Sequence, residues 1–386
     1  MIELIDITDQ EESNPSPEAA PPIAPKGKIL KRSEGIDWVC DIGVISADQL
    51  GDLDWLDGPR PKPTPALLRW DDLPEARPPR HLLIPAGRVG LIVAPGGTGK
   101  STLLCQLAVT VATGAPWLST YALDGKPGRV LLIMGEEDQD EIKRKLYDAA
   151  HPAKELRAEQ KADFYRNVEC IPLSGVPCAL LEHDEGSISS SHFSENLREL
   201  IAQAHKQGHP YKLIIMDPLS RMMGAASEND NAFATRFIQE LEAFTQGPGA
   251  PTVLVAHHAH KGAISQAHSG EATNQGASRG ASALVDGARL MINLEPCPAP
   301  DDLSGGWGGA RITLRVTKSN YGPTPRALEL IRPTGEQNFR PASPDELARW
   351  AQALPSPKKG KGKQTPPKPS KDEPASAALQ RHGRKS

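Results

Sequence analysis

Residues 91–102 read Leu-Ile-Val-Ala-Pro-Gly-Gly-Thr-Gly-Lys-Ser-Thr, a short apolar strand running straight into a glycine-rich turn that ends in a lysine and two hydroxyls. Gly96, Gly97 and Gly99 let the backbone bend tightly, with no Cβ in the way, so that successive N–H groups point inward at an anion. Pro95 and Thr98 complete that loop. Lys100 places a point charge on the β and γ phosphates of a nucleotide, and the Ser101 hydroxyl is a hard oxygen ligand for Mg²⁺. From Thr102 onward the spacing of Leu103, Leu104 and Leu107 predicts a helix over 102–113, whose N-terminal dipole favours the same anion. The usual opening glycine of such loops is here Ala94, a small replacement. Residues 95–102 are therefore expected to bind ATP with Mg²⁺.

Outward from this loop, apolar runs alternate with helical spacings. A strand precedes it at 89–93, and 129–134 reads as a fully buried strand ending in Gly-Glu-Glu-Asp. Asp138 is placed to cap a helix over 140–150. A short strand follows at 168–173, a helix at 194–207, and a buried strand at 213–216 that closes on Asp217-Pro218. Residues 229–245 are amphipathic, and 252–256 form a strand ending in His257-His258. Further strands are expected at 288–294, 311–317 and 327–331. Strands alternating with helices, then strands alone, imply an α/β fold with a mostly parallel central sheet and antiparallel edge strands. Ligands of such sheets bind at the carboxyl ends of the strands.

Composition divides the 386 residues further. The 37 prolines concentrate towards the two ends, and aromatic residues make up only 4%, so much of the chain is not core. Residues 1–79 read as an acidic, proline-rich leader, 80–335 as the ATPase domain, 336–354 as a short helical extension and 355–386 as a basic tail. Leader and tail are expected to be mostly disordered. Six acids and no base lie in residues 1–25, whereas nine bases stand against Asp372 and Glu373 from Pro355 onward. Such a tail is a solvated end or a salt-sensitive tether for a polyanion. Ser343-Pro344-Asp-Glu346 resembles a capping box that opens a helix to Leu354. The five cysteines show no metal spacing, and no apolar run approaches membrane length, which points to a reduced, soluble, cytoplasmic protein without a membrane partner.

The polar residues at the strand ends carry the candidate chemistry. Asp217 follows Leu-Ile-Ile-Met, the position from which an aspartate holds Mg²⁺ through a water or together with Ser101; its plainer role is to cap a turn before Pro218. Glu136 is placed to orient and deprotonate an attacking water, and is preferred over the adjacent Glu137, which points to the other face. His257 and His258 end a third strand, where a neutral imidazole can hydrogen-bond a γ-phosphate. A zinc site with His260 is the alternative, but no cysteine or carboxylate lies at ligand spacing. Residues 261–279 are small and polar without apolar periodicity, the composition of a functional loop.

Taken in order, Ala94–Ser101, Gly135-Glu136-Glu137, Met216-Asp217-Pro-Leu-Ser-Arg221, His257-His258-Ala-His-Lys-Gly262, Ala277-Ser-Arg-Gly-Ala-Ser282, Leu284-Val-Asp-Gly-Ala-Arg289 and Val316-Thr-Lys-Ser-Asn-Tyr-Gly322 resemble the RecA/DnaB superfamily. Within it they are most similar to the RepA-type hexameric replicative helicases of plasmids and phages. The resemblance covers roughly residues 80–335. It implies a RecA-like P-loop core that hydrolyses ATP at the subunit interfaces of a homo-hexameric ring moving on single-stranded DNA, with replication-initiation partners. By resemblance Glu136 is the catalytic base, Asp217 the acidic Mg²⁺ residue, His258 the γ-phosphate sensor, and Arg289 an arginine finger inserted into a neighbour's site. Residues 262–279 would face the central channel, with Lys261 and Arg279 as phosphate contacts. Lys318, the third residue expected to contact DNA, occupies the place of a Lys-x-Arg element whose arginine is here Asn320. Two other readings share the same site: a nucleotide-gated DNA-binding ATPase that recruits partners without unwinding, and a recombination accessory of RecA/RadA type.

Overall fold

Apolar strands without polar alternation need cover on both faces, and the central strands of this chain obtain it. The computed structural model describes residues 3–4, 30–31, 62–71, 81–151, 156–184, 187–224, 230–258, 282–297 and 310–353. Most of the expected leader, the tail 355–386, His260 and the stretch 261–279 lie outside the described residues. The chain divides into two units, Met1–Pro63 and Thr64–Ser386. In the first, β1 (Glu3–Leu4) pairs antiparallel with β2 (Leu30–Lys31). The second carries the candidate site.

Among the described residues its main sheet holds nine strands. Six are parallel neighbours, in the order β8 (Val168–Pro172), β7 (Arg129–Met134), β11 (Tyr211–Asp217), β12 (Thr252–His258), β5 (Val89–Ala94) and β13 (Leu290–Pro296). Beyond β13 the sheet continues antiparallel through β14 (Ala310–Ser319), β15 (Leu328–Arg332) and β16 (Arg340–Pro341). The α/β class with a mostly parallel sheet and antiparallel edge is thus what the chain forms. The period of two sorts the strand residues cleanly. Ile92, Leu132, Ile215, Leu254 and Ile292 enter the core under α1 (Lys100–Thr113), while Leu91, Leu131, Ile214, Val253 and Met291 enter the core of the opposite face. That second face is covered by α4 (His192–Lys206), α5 (Leu219–Met223) and α6 (Asn231–Gln246).

Helix α1 is buried almost all round, because α2 (Gln139–Ala150) and α3 (Ala158–Asn167) pack against it on the same face of the sheet. Asp138 caps α2 as expected, accepting from the Glu141 N–H at 2.8 Å. Several elements have no counterpart in the sequence reading. Residues 66–70, assigned there to the leader, form β3 (Ala66–Trp70), which pairs with β4 (His81–Pro85) and β6 (Ala122–Leu123). Leu67, Leu68 and Trp70 are buried in the same core as α1, which ties this strand to the ATPase body. A hairpin of β9 (Leu181–Asp184) and β10 (Ser187–Ser190) precedes α4. A helix α7 (Ser282–Gly287) before β13 is likewise unforeseen, whereas α8 (Pro344–Ala353) is the helix expected from the Ser343–Glu346 capping box.

Candidate active site

The sheet order decides which side chains meet. The ends of β5, β12, β11 and β7 stand side by side at one rim, so the phosphate loop, His258, Asp217 and Glu136 converge there. The loop turns through two left-handed glycines, Gly97 (φ +75°) and Gly99 (φ +97°), the second of which is the N-cap of α1. Thr98 closes the turn, its hydroxyl donating to the Pro95 carbonyl at 2.9 Å.

Lys100 is 5% exposed, and its Nζ donates to the carbonyls of Ala94 (3.0 Å) and Pro95 (3.2 Å). His258 Nδ1 lies 3.1 Å from the same ammonium. A charged Lys100 makes His258 the acceptor, so the ring is then neutral with its proton on Nε2. Burial pulls the Lys100 pKa down, opposed by the negative charges of Asp217 and Glu136.

Asp217 is also buried, and burial pushes its pKa up; a hydrogen bond from the Ser101 hydroxyl and the charges of Lys100 and Lys145 pull it down, while Glu137 pushes it further up. Its Oδ2 has no hydrogen-bond partner among the described residues. A buried carboxylate oxygen left open, beside a serine hydroxyl already on the same carboxylate, fits the hard-oxygen donor set of Mg²⁺. Ser101 and Asp217 are the residues that would hold the ion.

The two adjacent glutamates part company. Glu137 forms an ion pair with Lys145 of α2, both side chains largely covered (13% and 22% exposed). Glu136 is half exposed at the rim, with Oε1 3.8 Å from Arg221 Nε. Gly135 just before them is held against β11, its N–H donating to the Asp217 carbonyl at 2.7 Å. A Cβ there would come within 2.9 Å of Arg221 Cβ, so only glycine lets the strand ends approach this closely. Sequence reasoning missed Lys145 and Arg221, whose proximity depends on how α2 and α5 pack.

Two other expected residues stand apart. Arg289 precedes β13, where its N–H donates to the Val89 carbonyl at 3.0 Å, at the start of β5. The phosphate loop leaves the far end of β5 five residues on, ~17 Å away at strand rise. Its half-exposed guanidinium lies 3.7 Å from Glu242 Oε1. Lys318, opposite Met291 in β14, lies near the same end of the sheet as Arg289 and donates to the carbonyls of Val285 and Asp286 at 2.8 Å each, at the end of α7. Burial lowers its pKa, Asp286 raises it and Arg289 lowers it. Lys261 and Arg279 lie outside the described residues.

On the other flank of β5, a cavity of about 240 Å³ opens between Gly96, Gly97 and Thr98 of the loop and Pro296, Cys297, Ala310, Arg311 and Ile312 of β13–β14. Arg311 is held by Glu329 (Nε 3.1 Å, Nη2 3.0 Å) and lies over the Trp350 ring at 4.9 Å. No sequence signal marked this wall. Among the described residues there is no group of three or more His, Cys, Asp or Glu able to hold a metal ion, and no helix long and apolar enough to cross a membrane.

Residues 59–263 match the AAA domain family, and the chain belongs to that family of nucleotide-binding P-loop ATPase domains. A solved structure of an ATPase domain is similar at 12% identity over 66% of this chain and 85% of that one, with a TM-score of 0.47.

Proposed function

We propose that this chain is a RecA/DnaB-type motor, a DNA helicase or translocase similar to the RepA group, that hydrolyses MgATP between neighbouring copies in a ring. The observation that carries this reading is a separation. Lys100, Asp217, Glu136 and His258 share one rim, while Arg289 stands ~17 Å from the phosphate loop of its own chain at strand rise. For Arg289 to complete such a site it must act on a second copy, joined head to tail, the contact that builds rings. The strand order with β12 inserted between the loop strand and the Asp217 strand also agrees with the RecA-like core that the motifs imply.

In this reading the γ-phosphate lies towards Asp217 and Glu136, which leaves the nucleoside in the cavity against β13–β14. Lys100 turns from the Ala94 and Pro95 carbonyls to the β and γ oxygens. Bound Mg²⁺ supplies charge neutralisation at those oxygens. Glu136 takes the proton of the attacking water, free to do so because Lys145 pairs with Glu137 instead. His258, neutral beside Lys100, donates from Nε2 to the γ-phosphate and loses that contact when phosphate leaves. A single-stranded DNA track held by Lys261, Arg279 and loop backbone follows from the resemblance.

The test is a forked duplex with one labelled strand, incubated with wild type, Lys100→Ala and Glu136→Gln in MgATP. Strand release by wild type alone is expected. DNA-stimulated hydrolysis without strand release would favour the nucleotide-gated recruitment reading.

A further inference from the structure

Residues 336–353 lie beyond the stretch matched to the AAA domain family, yet they reach the phosphate loop. Phe339 is 2% exposed, in one core with Leu103, Leu104 and Leu107 of α1. Its ring occupies the space beside Gly99: a Cβ built there would stand 2.5 Å from Phe339 Cε2. The ring therefore lies against the left-handed residue that opens the phosphate-binding helix. Two turns along α1, Gln106 fixes the backbone beneath that ring. Its Nε2 donates to the Phe339 carbonyl at 2.9 Å, and the Phe339 N–H donates to its Oε1 at 3.3 Å.

The neighbouring residue reaches the other catalytic element. Asn338 Nδ2 donates to the Asp148 carbonyl near the end of α2, the helix that begins just after Glu136-Glu137 and whose Lys145 holds Glu137. One short segment thus joins the helix carrying Lys100 to the helix that follows Glu136. Behind it α8 is locked in place. Glu346 accepts from the Ser343 N–H at 2.7 Å and from both arms of Arg340 (3.0 and 2.8 Å), while the Glu346 N–H returns a bond to the Ser343 hydroxyl at 3.3 Å. Trp350 of α8 lies under Arg311, which lines the cavity beside Gly96–Thr98.

We infer that residues 336–353 act as a strap that sets nucleotide affinity, with Phe339 as a positioning residue for the phosphate loop. A loop with two left-handed glycines has many conformations open to it, and only one aims its N–H groups at a phosphate. The Phe339 ring and the Gln106 clamp hold that one from behind. If the strap leaves, the binding-competent fraction falls and the apparent Kd rises by its inverse. Linkage requires the converse, so bound nucleotide tightens the strap. The groups that act on the γ-phosphate are untouched, which separates affinity from turnover. The inference rests on the nucleotide reading above, and the test distinguishes the two.

ADP affinity is measured by calorimetry on the full chain for wild type, Lys100→Ala, Phe339→Ala, Phe339→Leu and Gln106→Met, with ATP turnover at saturation alongside. Phe339→Ala is expected to raise the ADP Kd at least ~10-fold while kcat stays within about threefold. Phe339→Leu recovers most of the affinity. Gln106→Met keeps the bulk of α1 but removes both backbone bonds, and shifts Kd in the same direction should Phe339→Ala fail to fold. Amide exchange at 336–341 is expected to slow when ADP binds wild type. Unchanged ADP affinity in folded Phe339→Ala or Gln106→Met, with exchange at 336–341 indifferent to ADP, overturns the strap alone. Wild type that binds no ADP, or Lys100→Ala that binds it equally well, overturns the nucleotide site and the strap with it.

Discussion

Replacing Arg289 by alanine separates chemistry from stability in one residue. In its own chain the guanidinium makes a 3.7 Å contact with Glu242, the two side chains 44% and 38% exposed. A pair so exposed contributes about 0–1 kcal/mol, so the thermal midpoint of the variant falls by no more than about 3 °C. The distance from Val89 to the phosphate loop likewise leaves nucleotide binding within the same chain unchanged. Turnover behaves differently. An arginine supplied in trans is worth roughly 10³ or more, about 4 kcal/mol of barrier, so kcat of Arg289→Ala drops by roughly that factor. The decisive assay co-assembles Arg289→Ala with Lys100→Ala, each inactive alone. An interface works only where the intact loop of one variant faces the intact arginine of the other. Random mixing at equal amounts makes about a quarter of the interfaces productive, giving about a quarter of the wild-type rate for independently firing sites. Turnover of Arg289→Ala at wild-type rate, or a mixture no more active than its parents, rules out an arginine supplied in trans.

Glu136→Gln is expected to keep ATP binding and lose turnover by roughly 10²–10⁴-fold in single-turnover kinetics; Glu137→Gln, whose parent is paired with Lys145, retains turnover and lowers the urea midpoint. Glu240 is fully buried between Ser190, Ser194, Arg198 and Arg236, and the two arginines themselves reach solvent, so Glu240→Gln costs about 1–3 kcal/mol in urea unfolding. Arg340 pulls the Glu346 carboxyl down from 4.5 to about 2, helped by Ser343. Because the folded value is the lower one, this stabilisation is complete above pH 4.5 and disappears as pH falls through about 2. Urea melts of wild type and Glu346→Gln are therefore expected to differ at about pH 6 and to converge near pH 2 (roughly the folded value).

The loop, the buried strands and the carboxylates at their ends were legible in the sequence, because each depends on a local pattern: glycines before a lysine, or an apolar run stopping at an acid. Strand β3 escaped because Ala66–Trp70 is a five-residue run set among prolines, and only its burial against the α1 core makes it a strand. The β9–β10 hairpin escaped because Leu-Glu-His-Asp and Ser-Ile-Ser-Ser carry too little apolar alternation. Adjacent Glu136 and Glu137 were separated by strand parity, whereas the fold adds the Lys145 partner that removes one of them from the rim. Lys318 is expected from its motif to contact DNA; its bonds to the last carbonyls of α7 depend on how that helix packs and carry no local signal. Phe339 and Gly99 are far apart in sequence and adjacent in space, and nothing local links them.

Whether the pocket is shared between copies is decided by ATP cleavage per chain, followed against protein concentration with and without single-stranded DNA while light scattering reports particle mass. A motor that fires between neighbours gives a rate per chain that climbs as copies associate and climbs again when DNA is added. A particle of one chain at every concentration, cleaving ATP at a constant rate whether or not DNA is present, rules such a motor out.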